Sequence, residues 1–218
     1  MRGESLTSDF SLLIKIYMAG IIATKLEMTR VIKGDRFIPV TLLKVPELRV
    51  VGYKTLEKDG YEAMIVWVLK EKTEAELKDW QITMSKNLFS TMKEFPIMEW
   101  DIEKYKTWDL VDLSALEWGV KVAIEWFSKW KWFTWAMKKH NFHWGPGGHG
   151  SKFHRALGSI GNRKPTKVHK GKKMHGHHGD TKVTIKKIPV ELVNKEISVV
   201  WVRWGVPGAR NSQINIIF

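Results

Sequence analysis

The densest group of side chains able to ligate a metal is His175-Gly176-His177-His178, and two serines, Ser151 and Ser159, lie among the histidines of the same region. Neither arrangement completes a reaction centre. A structural zinc site needs four ligands oriented by hydrogen-bonded neighbours, and no Cys, Asp or Glu lies between Trp126 and Gly179 to supply them. A serine nucleophile needs a base that a carboxylate orients, and the same absence rules that out locally. Gly158-Ser-Ile-Gly161-Asn-Arg-Lys lacks the Gly-Lys-Ser/Thr ending of a nucleotide-binding loop. The sequence therefore assigns no catalytic residue, metal, cofactor or small-molecule substrate.

The missing acids are themselves the most informative chemistry in the chain. From Trp126 to Gly179 there is no Asp or Glu, yet the stretch holds 12 of the 36 Lys/Arg and all 8 His; the other 24 basic residues face all 23 acids. Nearly all of the formal +13 thus sits in one segment, which is the footprint of a polyanion ligand rather than of general solubility. Lys129, Lys131, Lys138, Lys139 and His140 carry the charge of its first part, and Arg163, Lys164, Lys167, Lys170, Lys172 and Lys173 that of its last. As a set they neutralise phosphates and fix position rather than read sequence. Gly147, Gly148, Gly150, Gly158 and Gly161 punctuate the segment, and glycine lets backbone N–H groups approach phosphate closely. With so few large aliphatics from His143 to His178, the segment is expected to order only on a partner. His169, His175 and His177 read equally well as solvated loop residues. Trp130, Trp132 and Trp135 among the lysines offer an alternative function, a stacking platform in a free-standing single-strand binder.

What must position this segment is a folded body. A chain of 218 residues with 44% hydrophobic content can build a sizeable core, and no cysteine means no disulfide framework, which suits a reducing cytoplasm. Phe10 to Ile22 is interrupted by Lys15 and preceded by acids, so it reads as neither signal peptide nor membrane span. A soluble intracellular protein with no membrane partner is the expectation. Short apolar runs broken by Lys33-Gly34-Asp35 and Lys58-Asp59-Gly60 predict strands at Phe37 to Val45, Arg49 to Lys54 and Glu62 to Leu69, the last two paired antiparallel. Apolar residues from Leu77 to Met92 fall mostly at helix steps, which predicts a helical insertion over about 72–95. Further strands are expected at Ile97 to Ile102, Leu110 to Leu113, Val120 to Glu125, Val183 to Ile188, Ile197 to Val202 and Ile214 to Phe218. The pattern is mainly β, a small all-β body with the acid-free excursion inserted before its last strands.

Three stretches carry a family resemblance. They are Met18-Ala-Gly-Ile-Ile-Ala-Thr-Lys-Leu-Glu-Met-Thr-Arg-Val with Ile38-Pro-Val-Thr, then Lys58-Asp-Gly-Tyr-Glu-Ala, and above all His149-Gly-Ser-Lys-Phe-His-Arg with Gly158-Ser-Ile-Gly, continuing to Val206-Pro-Gly. From Met18 onward the chain resembles the universal large-subunit ribosomal protein L-three family of bacterial type. The resemblance implies a translation-protein-type β-barrel with a short helical insertion and a long basic extension that penetrates 23S ribosomal RNA toward the peptidyl transferase centre. It implies a structural, non-enzymatic protein of the cytoplasmic ribosome, with 23S ribosomal RNA and neighbouring large-subunit proteins as partners. His149, Ser151, His154 and Arg155 lie in the matched string and are the candidates for specific RNA contacts. The expected division is 18–125 for the barrel body, 126–179 for the extension and 180–218 for the strands that complete the barrel.

The chain departs from the family in two ways. Residues 1–17 precede Met18, which stands where the family begins, so they are expected to be a start-site artefact or a dispensable extension. Trp126, Trp130, Trp132, Trp135, Trp144 and Trp204 fall where the family has glycine, and Trp67, Trp108 and Trp118 extend the pattern. Exchanging the smallest side chain for the largest at so many sites is not what packing or RNA contact tolerates. The expectation is a source that reads UGA as glycine.

Overall fold

The computed structural model describes residues 20–69, 89–97, 105–111, 113 and 116–218. The expected extension over 1–17 and residues 72–88 of the expected helical insertion lie outside these. The chain divides into two units, one built from residues up to Trp126 together with Val183–Phe218, the other from Phe127–Lys182.

In the first unit the chain enters β1 (Gly20–Lys33), turns at Gly34-Asp35 and returns as β2 (Arg36–Lys44). Gly34 supplies the positive φ of +60° that the turn requires. Then come β3 (Leu48–Lys54), β4 (Ala63–Leu69), β5 (Phe89–Pro96) and β6 (Lys121–Phe127), and, after the long excursion described below, β9 (Lys182–Asn194), β10 (Val199–Arg203) and β11 (Gln213–Ile217). Six of these are hydrogen-bonded in the order β1-β11-β6-β9-β10-β2, and because β2 also pairs antiparallel with β1, the sheet closes on itself. The alternation that drives closure is visible in β6, where Val122 and Ile124 are buried between exposed Lys121 and half-buried Ala123 and Glu125. Ile124, Ile214, Ile216, Val200 and Val202 meet in the interior with no measurable exposure. Burial of each such side chain contributes about 1.5–3 kcal/mol. Ile124→Ala would cost about 2–5 kcal/mol, the cavity included.

The strands β3, β4 and β5 form a separate three-stranded antiparallel sheet. Their joining segment is not a two-residue hairpin. One turn of helix, α1 (Leu56–Asp59), fills it and ends at Gly60, whose φ of +78° lets its N–H donate to the Leu56 carbonyl at 3.0 Å. Gly20 on β1 faces Phe95 on β5, and a Cβ there would stand 2.5 Å from the phenyl ring, so only glycine admits the ring.

Three expectations need correction. Phe89 to Phe95, read as the end of a helix, is a strand: β4 supplies its backbone partners, and burial of Phe95 and Ile97 about exposed Pro96 follows the period of two. In the run Leu110 to Leu113 the described residues form no strand: Leu110 makes an isolated bridge to Arg49, and the Val111 N–H donates to the Leu48 carbonyl at 2.9 Å, while residue 112 lies outside the described residues. The strand expected at Val183 to Ile188 runs on to Asn194. It passes Pro189 at an irregular point, with Lys187 at a φ of +60° and a register shift opposite Trp201 and Val202, where a missing N–H is tolerated.

Candidate nucleic-acid interface

The second unit leaves β6 and returns to β9, and its two arms are tied together at the base. Ser128 donates its N–H to the Thr181 carbonyl at 2.9 Å and accepts from the Asp180 N–H at 3.2 Å; the Ser128 and Thr181 hydroxyls are 3.1 Å apart. Beside this pair Gly179 adopts a φ of +84° and lies so close to the Lys129 carbonyl that no Cβ could be accommodated. The arms then pair as β7 (Lys131–Thr134) and β8 (Gly176–His178), with Lys131 opposite His178 and Thr134 opposite Gly176. A short helix, α2 (Ala136–His140), follows β7 and stops at Asn141 in the left-handed conformation. The His140 Nε2 lies 3.1 Å from the Met174 carbonyl and joins the helix to the returning arm.

Beyond this base the chain has no helix or strand from Asn141 to His175. It is organised by backbone bonds and glycine. The Gly145 N–H donates to the Phe153 carbonyl at 3.0 Å, and a Cβ on Gly145 would stand 2.7 Å from that oxygen. Gly150, Gly158 and Gly171 hold φ values of +77°, +85° and +76°. Gly147, Gly148 and Gly161 differ, having neither a positive φ nor any atom within 4 Å of a would-be Cβ. Among the described residues nothing requires glycine at these three places.

The basic side chains are spread along this path. Lys129, Lys138, His149, His154, Arg155, Arg163, Lys164, Lys167, Lys170, Lys172 and Lys173 are exposed; Lys131, Lys139, His140 and Ser151 are half-buried. Lys131, Lys139 and His140 come together with the return arm at β7, β8 and α2, whereas the lysines from 164 to 173 lie on the distal loop. Asp180 is the sole acid from Phe127 to Lys182, so the unit's charge is not neutralised from within. Among the described residues no three His, Asp or Glu side chains assemble as a metal would need. Instead His175 lies 5.3 Å from the Phe133 ring and 5.7 Å from Trp135, and His177 lies 5.6 Å from Trp130. Lys186 and Lys187 are exposed on the first half of β9, in the first unit; they fall beyond Asp180 and so outside the acid-free window that marked the others. The Ser128–Thr181 tie and Gly179 also escaped the sequence reading, because a pairing across 53 residues leaves no local signal.

No family model matches the chain. It is, however, 36% identical over 204 residues to the large ribosomal subunit protein uL3 of Fervidobacterium nodosum, covering 91% of this chain and 97% of that protein. The uL3 protein of Thermosipho melanesiensis is 37% identical over 203 residues, with the same coverage. That of Rickettsia akari is 37% identical over 213 residues, covering 90% of this chain and 94% of its own length. The chain belongs to the uL3 family. As a uL3 protein it is a ribosomal structural constituent and not an enzyme.

Proposed function

We propose that this uL3 protein holds 23S ribosomal RNA in the large subunit and supports subunit assembly. In this reading the closed sheet is a translation-protein-type β-barrel, made from 18–125 and 180–218, that anchors on the RNA surface. The extension, 126–179, reaches into the RNA toward the peptidyl transferase centre, beside neighbouring large-subunit proteins. The observation that carries the reading is the union of uncompensated charge with glycines that the protein itself does not need. Phosphates neutralised by Lys164, Lys167, Lys170, Lys172 and Lys173 release counterions, and each contact steepens the logarithmic salt dependence by roughly 0.7–0.9. Gly147, Gly148 and Gly161 leave bare backbone where a phosphate or ribose can lie against N–H groups. In the same reading His149, Ser151, His154 and Arg155 contact sugars and base edges, which their position on the same loop supports.

Deletion of 126–179 tests this. The expected product keeps a folded body and no longer enters large subunits; normal incorporation would overturn the proposal.

A second reading is a free-standing single-strand binder that stacks bases on the exposed rings of Trp130 and Trp132, whose centroids are 6.0 Å apart. It requires those indoles, so Trp130→Gly with Trp132→Gly would weaken binding, whereas the ribosomal reading expects assembly to be unchanged or improved.

A further inference from the structure

Among the described residues, those outside glycine with positive φ are Trp108, Asn141, His149, Asp180, Lys187, Ser198, Trp204 and Asn211. Asn, Asp and His visit this conformation with little penalty because their short polar side chains bond locally; a bulky aromatic residue there is an outlier. Lys187 sits at the irregular point of β9 and Ser198 in a turn; Trp108, with a φ of +79°, and Trp204, with +65°, are the bulky aromatic members of the group. Backbone ties hold both in this conformation. The Trp108 N–H donates to the Val50 carbonyl at 2.6 Å; the Trp204 N–H donates to the Pro39 carbonyl at 2.8 Å, while its own carbonyl accepts from the Thr41 hydroxyl at 2.6 Å. These are places where the chain reverses and where only a residue without a Cβ is free of strain.

Exposure gives an independent line. Tryptophan is on average a highly buried residue, yet Trp118, Trp130, Trp132, Trp135, Trp144 and Trp204 are all exposed, Trp132 by 79%. No described tryptophan belongs to the buried core, which is made of Ile, Val, Leu, Met, Phe and Ala. The fold uses none of the six exposed indoles for its interior.

One cause accounts for both observations. We infer that glycine occupies positions 108, 118, 130, 132, 135, 144 and 204 in the protein as its source makes it, the codon at each being a UGA that the source decodes as glycine. Trp126, half-buried against the core with Lys93 Nζ 6.0 Å from its ring, joins them through the sequence pattern alone. The consequence for the RNA-bearing reading, on which this part rests, is a change in the character of the interface. The outgoing arm from Lys129 to Trp144 becomes bare backbone flanked by Lys129, Lys131, Lys138 and Lys139, and the aromatic platform disappears.

Fragment mass spectrometry of the native protein, purified from a whole-cell extract of its source, tests the residue identities without reference to RNA. Peptides covering 108, 118, 130–144 and 204 are expected to be lighter by the tryptophan-to-glycine difference at each position, with UGA in the gene. Tryptophan in those native peptides, or UGG codons, would overturn the inference. A chain made with glycine at 130, 132, 135 and 144 is expected to enter large subunits, with loss of incorporation when the same positions carry tryptophan. Equal incorporation of the two would overturn the claim about the interface while leaving the decoding result standing.

Discussion

Gly179 lies against the backbone carbonyl of Lys129 with no room for a Cβ between them, at the point where the outgoing and returning arms of the basic extension meet. Its φ of +84° and this contact make it the least replaceable residue at the base of that unit. Gly179→Ala is expected to cost about 1–3 kcal/mol from backbone strain alone. Hydrogen exchange at the Ser128 and Asp180 amides reads the effect, since both protons are held by the tie. Unaltered protection at these amides would mean that the tie tolerates the methyl group.

Among the described residues Lys25 is the buried cation of the body. Its Nζ donates to the carbonyls of Val206 at 2.8 Å and Gly208 at 3.0 Å, pinning the loop between β10 and β11 to β1. Lys25→Met keeps the apolar stem and removes both charge-assisted bonds, so the body should lose about 3 kcal/mol. A urea midpoint lowered by about 1–2 M would express that loss, and an unmoved midpoint would contradict it.

Lys54, Tyr61 and Glu94 form an exposed cluster across the three-stranded sheet. The Tyr61 hydroxyl donates to Glu94 Oε2 at 2.7 Å, and Lys54 Nζ lies 3.1 Å from Oε1. The Tyr61 hydrogen bond first, and the Lys54 ammonium second, hold the Glu94 carboxyl below its ordinary value. A carboxylate whose folded pKa is depressed stabilises the fold above its unfolded pKa and loses that contribution as pH falls through the folded one. The melting-temperature difference between wild type and Glu94→Gln should thus be present at neutral pH and shrink to nothing in acid. Bonds from Lys54 to Tyr61 and Glu94 raise the Lys54 ammonium pKa, so its own contribution is full below the unfolded pKa and is lost only as pH rises through the folded value. A difference that grows in acid would refute the assignment.

Lys170, Lys172 and Lys173 are exposed on the distal loop with no acid nearby in sequence. Replacing all three by alanine should weaken binding to 23S ribosomal RNA and flatten the plot of log affinity against log salt by roughly 0.7–0.9 for each phosphate contact removed. Titrations at several salt concentrations measure both quantities. An unchanged slope would show that these lysines face solvent and not phosphate.

How far the sequence could be read depended on local period. β2, β3, β4, β6, β10 and β11 lie within two residues of their expected positions, because buried Val, Ile and Leu alternate between turn residues that can be recognised. β1, the longest strand, was not delimited: its register shifts between Lys25 and Met28, so the alternation breaks midway, and its second half is exposed. β5 was mistaken for helix because it pairs only with β4 and buries few side chains, leaving too little period-two signal to compete with the spacing of its apolar residues. In the extension, charge located the candidate residues, but β7, β8 and α2 were invisible. Their pairing joins residues far apart in the chain, and His175 and His177 pack on rings from the opposite arm.

The tie between Ser128 and Thr181 makes the basic extension a closed loop rather than a tail. A tail can be threaded end-first through an opening already formed in folded RNA, but a loop pinned at its base has no end to offer. Under the proposed function, any RNA strand that encircles the segment must close around it, so the order of events to expect is that the protein arrives while that part of the RNA is still open. Lengthening the loop between Gly147 and Gly171 would leave this order intact, since doubling the length of a closed flexible loop adds only about 0.6 kcal/mol of closure entropy.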